Sequence, residues 1–269
     1  MGLFDKLFGD NKEPQKPKIE IIEEWDSYMT NVDHKIGSIM VNLGLKKIVP
    51  IPGKKNLVWI SIQMNDPRED GLSSKEESEK LYEIEDVLVD ALTKKFDCIY
   101  PGRLTSDNRR NLYFYFDEHT LYDKIISEVM VAYPNYEYDF GIKEDAGWTV
   151  YLDFLYPLPS QYQGIMNRRV LINLEKHGDN HDLPRKVDHY VYFNTENDRL
   201  NFIDNIKDDG FVIEHTDVKE DGKDYPYSLH LTKIDKVDYN SINKVTVSLL
   251  EKAENFNGYY DGWGCPIEK

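Results

Sequence analysis

The chain has 269 residues, 40% hydrophobic and 13% aromatic, enough for one large domain or two ordinary ones. Its 33 basic residues face 49 acidic ones, a net charge of −16, which disfavours nucleic-acid phosphates and anionic lipid and favours a basic partner. Two distant cysteines, Cys98 and Cys265, exclude a disulfide framework and fit a reducing, cytoplasmic setting.

At the start, Leu3, Phe4, Leu7 and Phe8 share one helical stripe, and Pro14 and Pro17 follow. Residues 1–18 are therefore expected to be a flexible amphipathic tip and tether. No signal peptide and no stable membrane insertion are expected, because no apolar run reaches the ~20 residues of a membrane helix. Lys6 breaks the myristoylation pattern.

Residues 19–28 lead in, with Trp25 and Tyr28 as anchors. Ile39, Val41, Leu43 and Leu45 alternate, which predicts a strand over 38–48. A second strand is predicted over 57–64, through Val58, Ile60, Ile62 and Met64. Ser74 and Glu77 form a capping-box pattern before a helix whose buried stripe is Leu81, Ile84, Leu88, Ala91, Leu92 and Phe96. The carboxylates Glu76, Glu77, Glu79, Glu83, Glu85 and Asp86 read as its solvated face. Strands over 97–104 and 111–116 follow. Next come a helix over 118–133, with Leu121, Ile125, Val129 and Ala132 inward, and a strand over 135–142. From Leu57 the order is βαββαβ, with residues 148–156 as an addition. Pro157 and Pro159 mark a boundary between domains at 19–158 and 161–269.

In the second half a helix is predicted over 162–177, using Ile165, Met166 or Val170, Leu171 and Leu174, and Gly178 ends it. A strand over 185–193 and a helix over 195–208 follow, and Gly210 stops the helix. Strands over 211–218 and 225–234 are joined at Asp221-Gly222, and a helix over 240–256 leads to a closing strand. The order is βαββαβ again. The fold class expected is α+β, two tandem ferredoxin-like antiparallel-sheet units.

Alternation along 185–193 turns Val187, His189, Val191 and Phe193 to the helices. Asp188, Tyr190 and Tyr192 then face outward beside Ser228, His230 and Thr232. Such a face can stack RNA bases, but the Lys/Arg-Gly-aromatic signature is missing and basic residues do not cluster there. A protein partner suits these tyrosines better, and no direct nucleic-acid contact is expected. In the closing run Gly258-Tyr259-Tyr260-Asp261-Gly262-Trp263-Gly264-Cys265, strict alternation would group Tyr259, Asp261, Trp263 and Cys265 on one face. Tyr260, Gly262 and Gly264 would form a nearly bare one. Either Trp263 plugs the core, or Trp263 or the bare face receives a partner.

His177, Gly178, Asp179, Asn180, His181 and Asp182, followed by Asp188 and His189, are dense enough in ligand types to suggest a metal. Their spacing fits no closed zinc pattern. A metal-assisted hydrolase using His177, Asp179, His181 and His189 is the alternative reading. Cys265 beside His189 or His230 would be a thiol nucleophile; a buried, inert cysteine is the default. There is no P-loop, no GxGxxG after a strand and no GxSxG. The chain reads as a binder without cofactor, metal or catalytic residues.

The runs Leu174-Glu175-Lys176-His177-Gly178-Asp179, Pro184-Arg185-Lys186-Val187-Asp188-His189-Tyr190-Val191-Tyr192-Phe193, Gly210-Phe211 and 258–265 resemble the bacterial regulator of ribonuclease E activity B (RraB) family. The first half is similar to domain-of-unknown-function family 695, through 71–77, 82–86, Gly102-Arg103-Leu104-Thr105, Tyr113-Phe114-Tyr115 and 148–157. The resemblance implies a ferredoxin-like second domain that inhibits an endoribonuclease by holding its basic segment. The candidate partner-binding residues are Tyr190, Tyr192, His230, Tyr260, Asp261, Gly262, Trp263 and Gly264. His177, Gly178, Asp179, Arg185, Asp188, His189 and Cys265 are motif or structural positions.

Overall fold

The computed structural model describes residues 20–117, 121–219 and 224–269. The expected N-terminal tip and the Asp221-Gly222 turn lie outside them. The fold is α+β, with two antiparallel sheets and their helices. The first sheet has six strands: β1 (Trp25–Val32), β2 (Lys35–Asn42), β3 (Asn56–Gln63), β4 (Cys98–Ser106), β5 (Arg109–Phe116) and β6 (Tyr138–Glu144), ordered β1-β2-β4-β5-β3-β6. The helices α1 (Lys75–Lys95) and α2 (Tyr122–Met130) cover one face.

Val58, Ile60 and Ile62 of β3 and Leu112, Phe114 and Phe116 of β5 meet Leu81, Ile84 and Leu88 of α1 on that face. The opposite face buries Leu57, Tyr115, Ile39 and Val41 under residues 148–155. There the Trp148 indole stacks on Tyr115 with centroids 3.8 Å apart. Its Nε1–H donates to the Lys54 carbonyl at 2.8 Å, so the largest side chain of this core buries no unpaired donor.

Several expectations need correction. Trp25–Val32 is a strand; only Tyr28 of it is buried, so it carries almost no apolar alternation. It turns into β2 through Asp33 and His34, both at positive φ, a hairpin turn made without glycine. The strand expected over 38–48 stops at Asn42, whose Oδ1 accepts from Gly44 N–H at 3.0 Å and starts a 3-10 turn over Leu43–Lys47. Ser74 caps α1, accepting from Glu77 N–H at 3.1 Å. Glu77 does not close a capping box: its carboxylate accepts from the backbone of Asn65 and Asp66. On α2 the buried residues are Ile126 and Met130, and Leu121 is exposed.

Glu85 is not solvated either. It is 4% exposed, with Oε1 accepting from Tyr100 at 2.8 Å and pairing with Arg103 at 2.5 Å, and Oε2 3.4 Å from Arg110. Its α1 position faces β4 and β5, where the buried Arg110 and the largely enclosed Arg103 supply the counter-charge that a buried carboxylate needs.

The second sheet has β7 (Arg185–Phe193), β8 (Val212–Val218), β9 (Tyr227–Asp235) and β10 (Gly258–Gly264), ordered β10-β7-β9-β8. Helices α4 (Glu196–Ile206) and α5 (Tyr239–Asn255) pack on one face. Between the two sheets runs α3 (Pro159–Lys176). Pro159 does not stop the chain. It opens α3 as its first residue, where its missing N–H costs no helix bond. Ile165 of α3 joins the first core, while Leu171 and Leu174 join the core under β7 and α5. Arg168 and Arg169 both pair with Asp26 of β1, and Arg169 also reaches Glu24 at 2.7 Å. Although burial works the other way, these arginine contacts hold the Asp26 carboxyl below its ordinary pKa.

Replacing Glu85 by alanine is expected to cost about 3–5 kcal/mol, because Arg103 and Arg110 lose their carboxylate. Urea unfolding followed by Trp fluorescence checks this; a loss under about 1 kcal/mol would mean the pair is solvated.

Candidate functional site

The second sheet leaves the face opposite α4 and α5 open. Along β7 the buried and less buried residues alternate strictly: Val187, His189, Val191 and Phe193 point inward, and Asp188, Tyr190 and Tyr192 outward. Across β9, Asp188 faces Thr232, Tyr190 faces His230 and Tyr192 faces Ser228. The Tyr190 ring stacks on His230 at 4.9 Å, and His230 Nε2 lies 2.7 Å from Asp188 Oδ1. Tyr190 is 39% exposed. Tyr192 is less available, since Lys219 Nζ sits 4.8 Å above its ring.

The closing strand departs from strict alternation. Tyr260 pairs with Val191 and Gly262 with Tyr190, so Asp261 is an extra residue in a β-bulge. The bulge resets the period. Tyr260 and Trp263 both turn to the helix side, opposite Val191 and His189. Tyr259, Gly262 and Gly264 fall opposite Tyr192, Tyr190 and Asp188 on the open face. Gly262 stands at φ +146°, a conformation essentially closed to other residues.

Two inward residues are tied into the fold. Tyr260 is buried, and its hydroxyl is 2.9 Å from His189 Nδ1. Burial pushes the His189 imidazole down to about 4. Trp263 Nε1–H donates to Asn167 Oδ1 at 2.8 Å. Asn167 is fully buried on α3. Its Oδ1 also accepts from Gln163 at 2.8 Å, and its Nδ2 donates to Asn243 at 2.6 Å and Thr246 at 2.7 Å on α5. Trp263 is therefore half-buried against α3 rather than standing on the open face.

The metal-ligand reading fails on geometry. His177 is exposed, with Nδ1 2.7 Å from the Asn173 carbonyl, and His189 is turned under the sheet toward Tyr260. Gly178 follows the helix at φ +78°. Asp179 is paired with the buried Arg185 and accepts from Glu268 N–H at 2.7 Å, which fixes the tail after β10. Arg185 also donates to the carbonyls of Leu183 and Pro266 at 3.2 Å. His181 Nε2 lies 3.7 Å from Asp179 Oδ2. Among the described residues no group of three or more His, Cys, Asp or Glu could hold a metal ion. The Cys265 thiol is half-buried against the core under β7, and burial raises its pKa, the opposite of an activated nucleophile.

The sequence groups Tyr190, Tyr192, His230, Tyr260, Asp261, Gly262, Trp263 and Gly264 as partner-binding candidates; the structure brings Tyr190, Tyr192, His230, Gly262 and Gly264 together on the open face, leaves Asp261 exposed in the bulge and puts Tyr260 and Trp263 beneath. The reading missed Tyr259, which is exposed on the open face, and Asn167. The Asp-Gly pair inside the closing strand was the available signal for the bulge, since a glycine within a strand often marks one.

Residues 23–156 match a family of unknown function, DUF695, and residues 164–265 match Regulator of ribonuclease activity B. No curated protein matches the chain. Two solved structures align weakly. A protein of unknown function from Galdieria sulphuraria is 10% identical, with a TM-score of 0.22, over 79% of this chain and 99% of its own. A protein described as a glycine cleavage system transcriptional repressor is 8% identical, with a TM-score of 0.20, over 79% of this chain and 98% of its own. Superpositions this poor carry no argument about the fold.

Two outcomes test this geometry. Stability should fall as pH drops from about 6.5 toward 4, because the unfolded chain protonates His189 first; the loss is about 3 kcal/mol, and His189→Gln should flatten it. Asn167→Ala should cost about 2–4 kcal/mol, since Gln163, Asn243 and Trp263 each lose a partner, and should shift the Trp fluorescence. Unchanged unfolding midpoints would refute either claim. The chain joins a DUF695 region at 23–156 to a Regulator of ribonuclease activity B region at 164–265.

Proposed function

We propose that this chain is a non-catalytic, cytoplasmic regulator of ribonuclease activity that acts by binding a basic segment of an endoribonuclease of the ribonuclease E kind. The match of residues 164–265 to Regulator of ribonuclease activity B carries this reading. The charge of −16 supports a basic partner, because opposite charge speeds encounter and rejects acidic competitors. The open face supports a protein partner: Tyr190 and Tyr259 are exposed beside Asp188 and Asp261, and aromatic anchors are what protein interfaces enrich.

The reading divides the chain into domains at 19–158 and 161–269, each a ferredoxin-like unit. The strand orders β4-β5-β3-β6 and β10-β7-β9-β8 support it, since both place the first and third strands of a βαββαβ run in the middle of the sheet. The β1–β2 hairpin then extends the first unit at its β4 edge.

The test is RNA cleavage by a purified ribonuclease E-type enzyme, with and without its basic region, in the presence of this protein. Inhibition is expected only when the region is present, and it should weaken with salt. Tyr190→Ala should weaken it about tenfold, as loss of an aromatic anchor does. Cleavage that ignores the protein at low salt would refute the reading.

A further inference from the structure

A cleft of about 570 Å³ opens along the edge of β10 that faces away from β7. One wall is β10 itself, from Gly258 to Trp263. The other is α3, with Tyr162, Met166 and Val170; Leu250 and Glu254 of α5 and the Tyr225 ring, 6.0 Å from that of Tyr259, also line it. Three properties coincide here. β10 is the last strand of its sheet, and among the described residues no backbone bond outside helices and sheets uses Tyr259, Tyr260, Asp261 or Gly262. Among the described residues, the carboxylates lining the cleft are the exposed Glu254 and Asp261, and no lysine or arginine lines it. The Asn167 hydrogen bonds tie α3 to Trp263 and to α5 and so set the spacing of its walls.

We infer that this cleft takes an extended basic segment of the partner, which adds to β10 as a fifth strand. The inference rests on the reading of the chain as a binder of such a segment, and it names the place and the mode. An unpaired strand edge offers backbone donors and acceptors to any extended chain, and side chains at alternate positions supply selectivity. Apolar side chains would settle on Met166, Val170 and Leu250. The alternate ones, if basic, would meet Glu254 and Asp261. The bulge at Asp261 bends the edge, so the new ladder runs along Gly258, Tyr259 and Tyr260, and a flat, unrelated strand is rejected. Because α3 is one wall, the segment touches the helix that is also anchored on β1 through Arg168 and Arg169.

The test uses the full chain and a short peptide alternating arginine and valine. Binding should slow hydrogen exchange at the amides of 258–260. It should weaken at least about tenfold in the Glu254→Lys, Asp261→Lys double variant, both positions being exposed. A peptide N-methylated at alternate amides, which leaves the protein untouched, should lose binding as well. Tyr190→Ala should change peptide affinity little, because Tyr190 does not line the cleft and its open face is left to the rest of the nuclease, outside the basic segment. The inference is overturned if the double variant and the N-methylated peptide bind as tightly as the originals, or if protection appears around Tyr190 instead. The regulatory reading falls separately, if ribonuclease cleavage ignores the protein while the peptide still seats in the cleft.

Discussion

Asn167 is the point on which the second half of the molecule turns. An asparagine side chain offers two donors and an oxygen with two lone pairs. Here all four are used, by Gln163, Trp263, Asn243 and Thr246, and the asparagine itself is fully buried. Burying such a group without partners costs several kcal/mol, so α3, α5 and β10 are held to the one arrangement that satisfies it. The same helix carries Ile165 into the first core and sets Arg168 and Arg169 against Asp26. One element thus belongs to two cores, and the relation of the two sheets follows from its two faces.

This dual membership explains what was legible in the sequence. The strongly periodic segments, such as β3, α1, β7 and α5, could be read from local pattern because one face of each is apolar and buried. β1 could not, since it fully buries Tyr28 alone and its other apolar contacts, Trp25 on Tyr100 and Val32 at the core edge, follow no alternation. Glu85 and Glu77 resembled their neighbours on α1. What separates them is an arginine pair on other strands and a loop backbone, neither of which is local in sequence. Asn167 was invisible for the same reason: an asparagine in a helix reads as surface until its partners, 76 and 79 positions away, are known.

Charge distribution follows from the same interior. Arg110, Arg185 and Arg199 are buried and bound to carboxylates or backbone carbonyls within the fold. Such cations stabilise loops and strand ends but contribute little field outside. The carboxylates that pair with them, Glu85 and Asp179, are enclosed as well, so the outward charge keeps the acidic balance of the composition.

The three glycines of the closing strand are not equivalent. A Cβ on Gly258 would lie 2.6 Å from the Phe193 ring, so that position is bare because the core is full. Gly262 has open space around it but sits at φ +146°, so it is bare because the bulge needs that backbone. Gly264 meets neither constraint: a Cβ there finds nothing within 4 Å, and its φ is ordinary. It lies opposite Asp188 on the open face, where any side chain would stand over the sheet. Packing and backbone strain therefore account for two of the glycines. The third keeps a surface low, and that effect acts on whatever approaches rather than on folding.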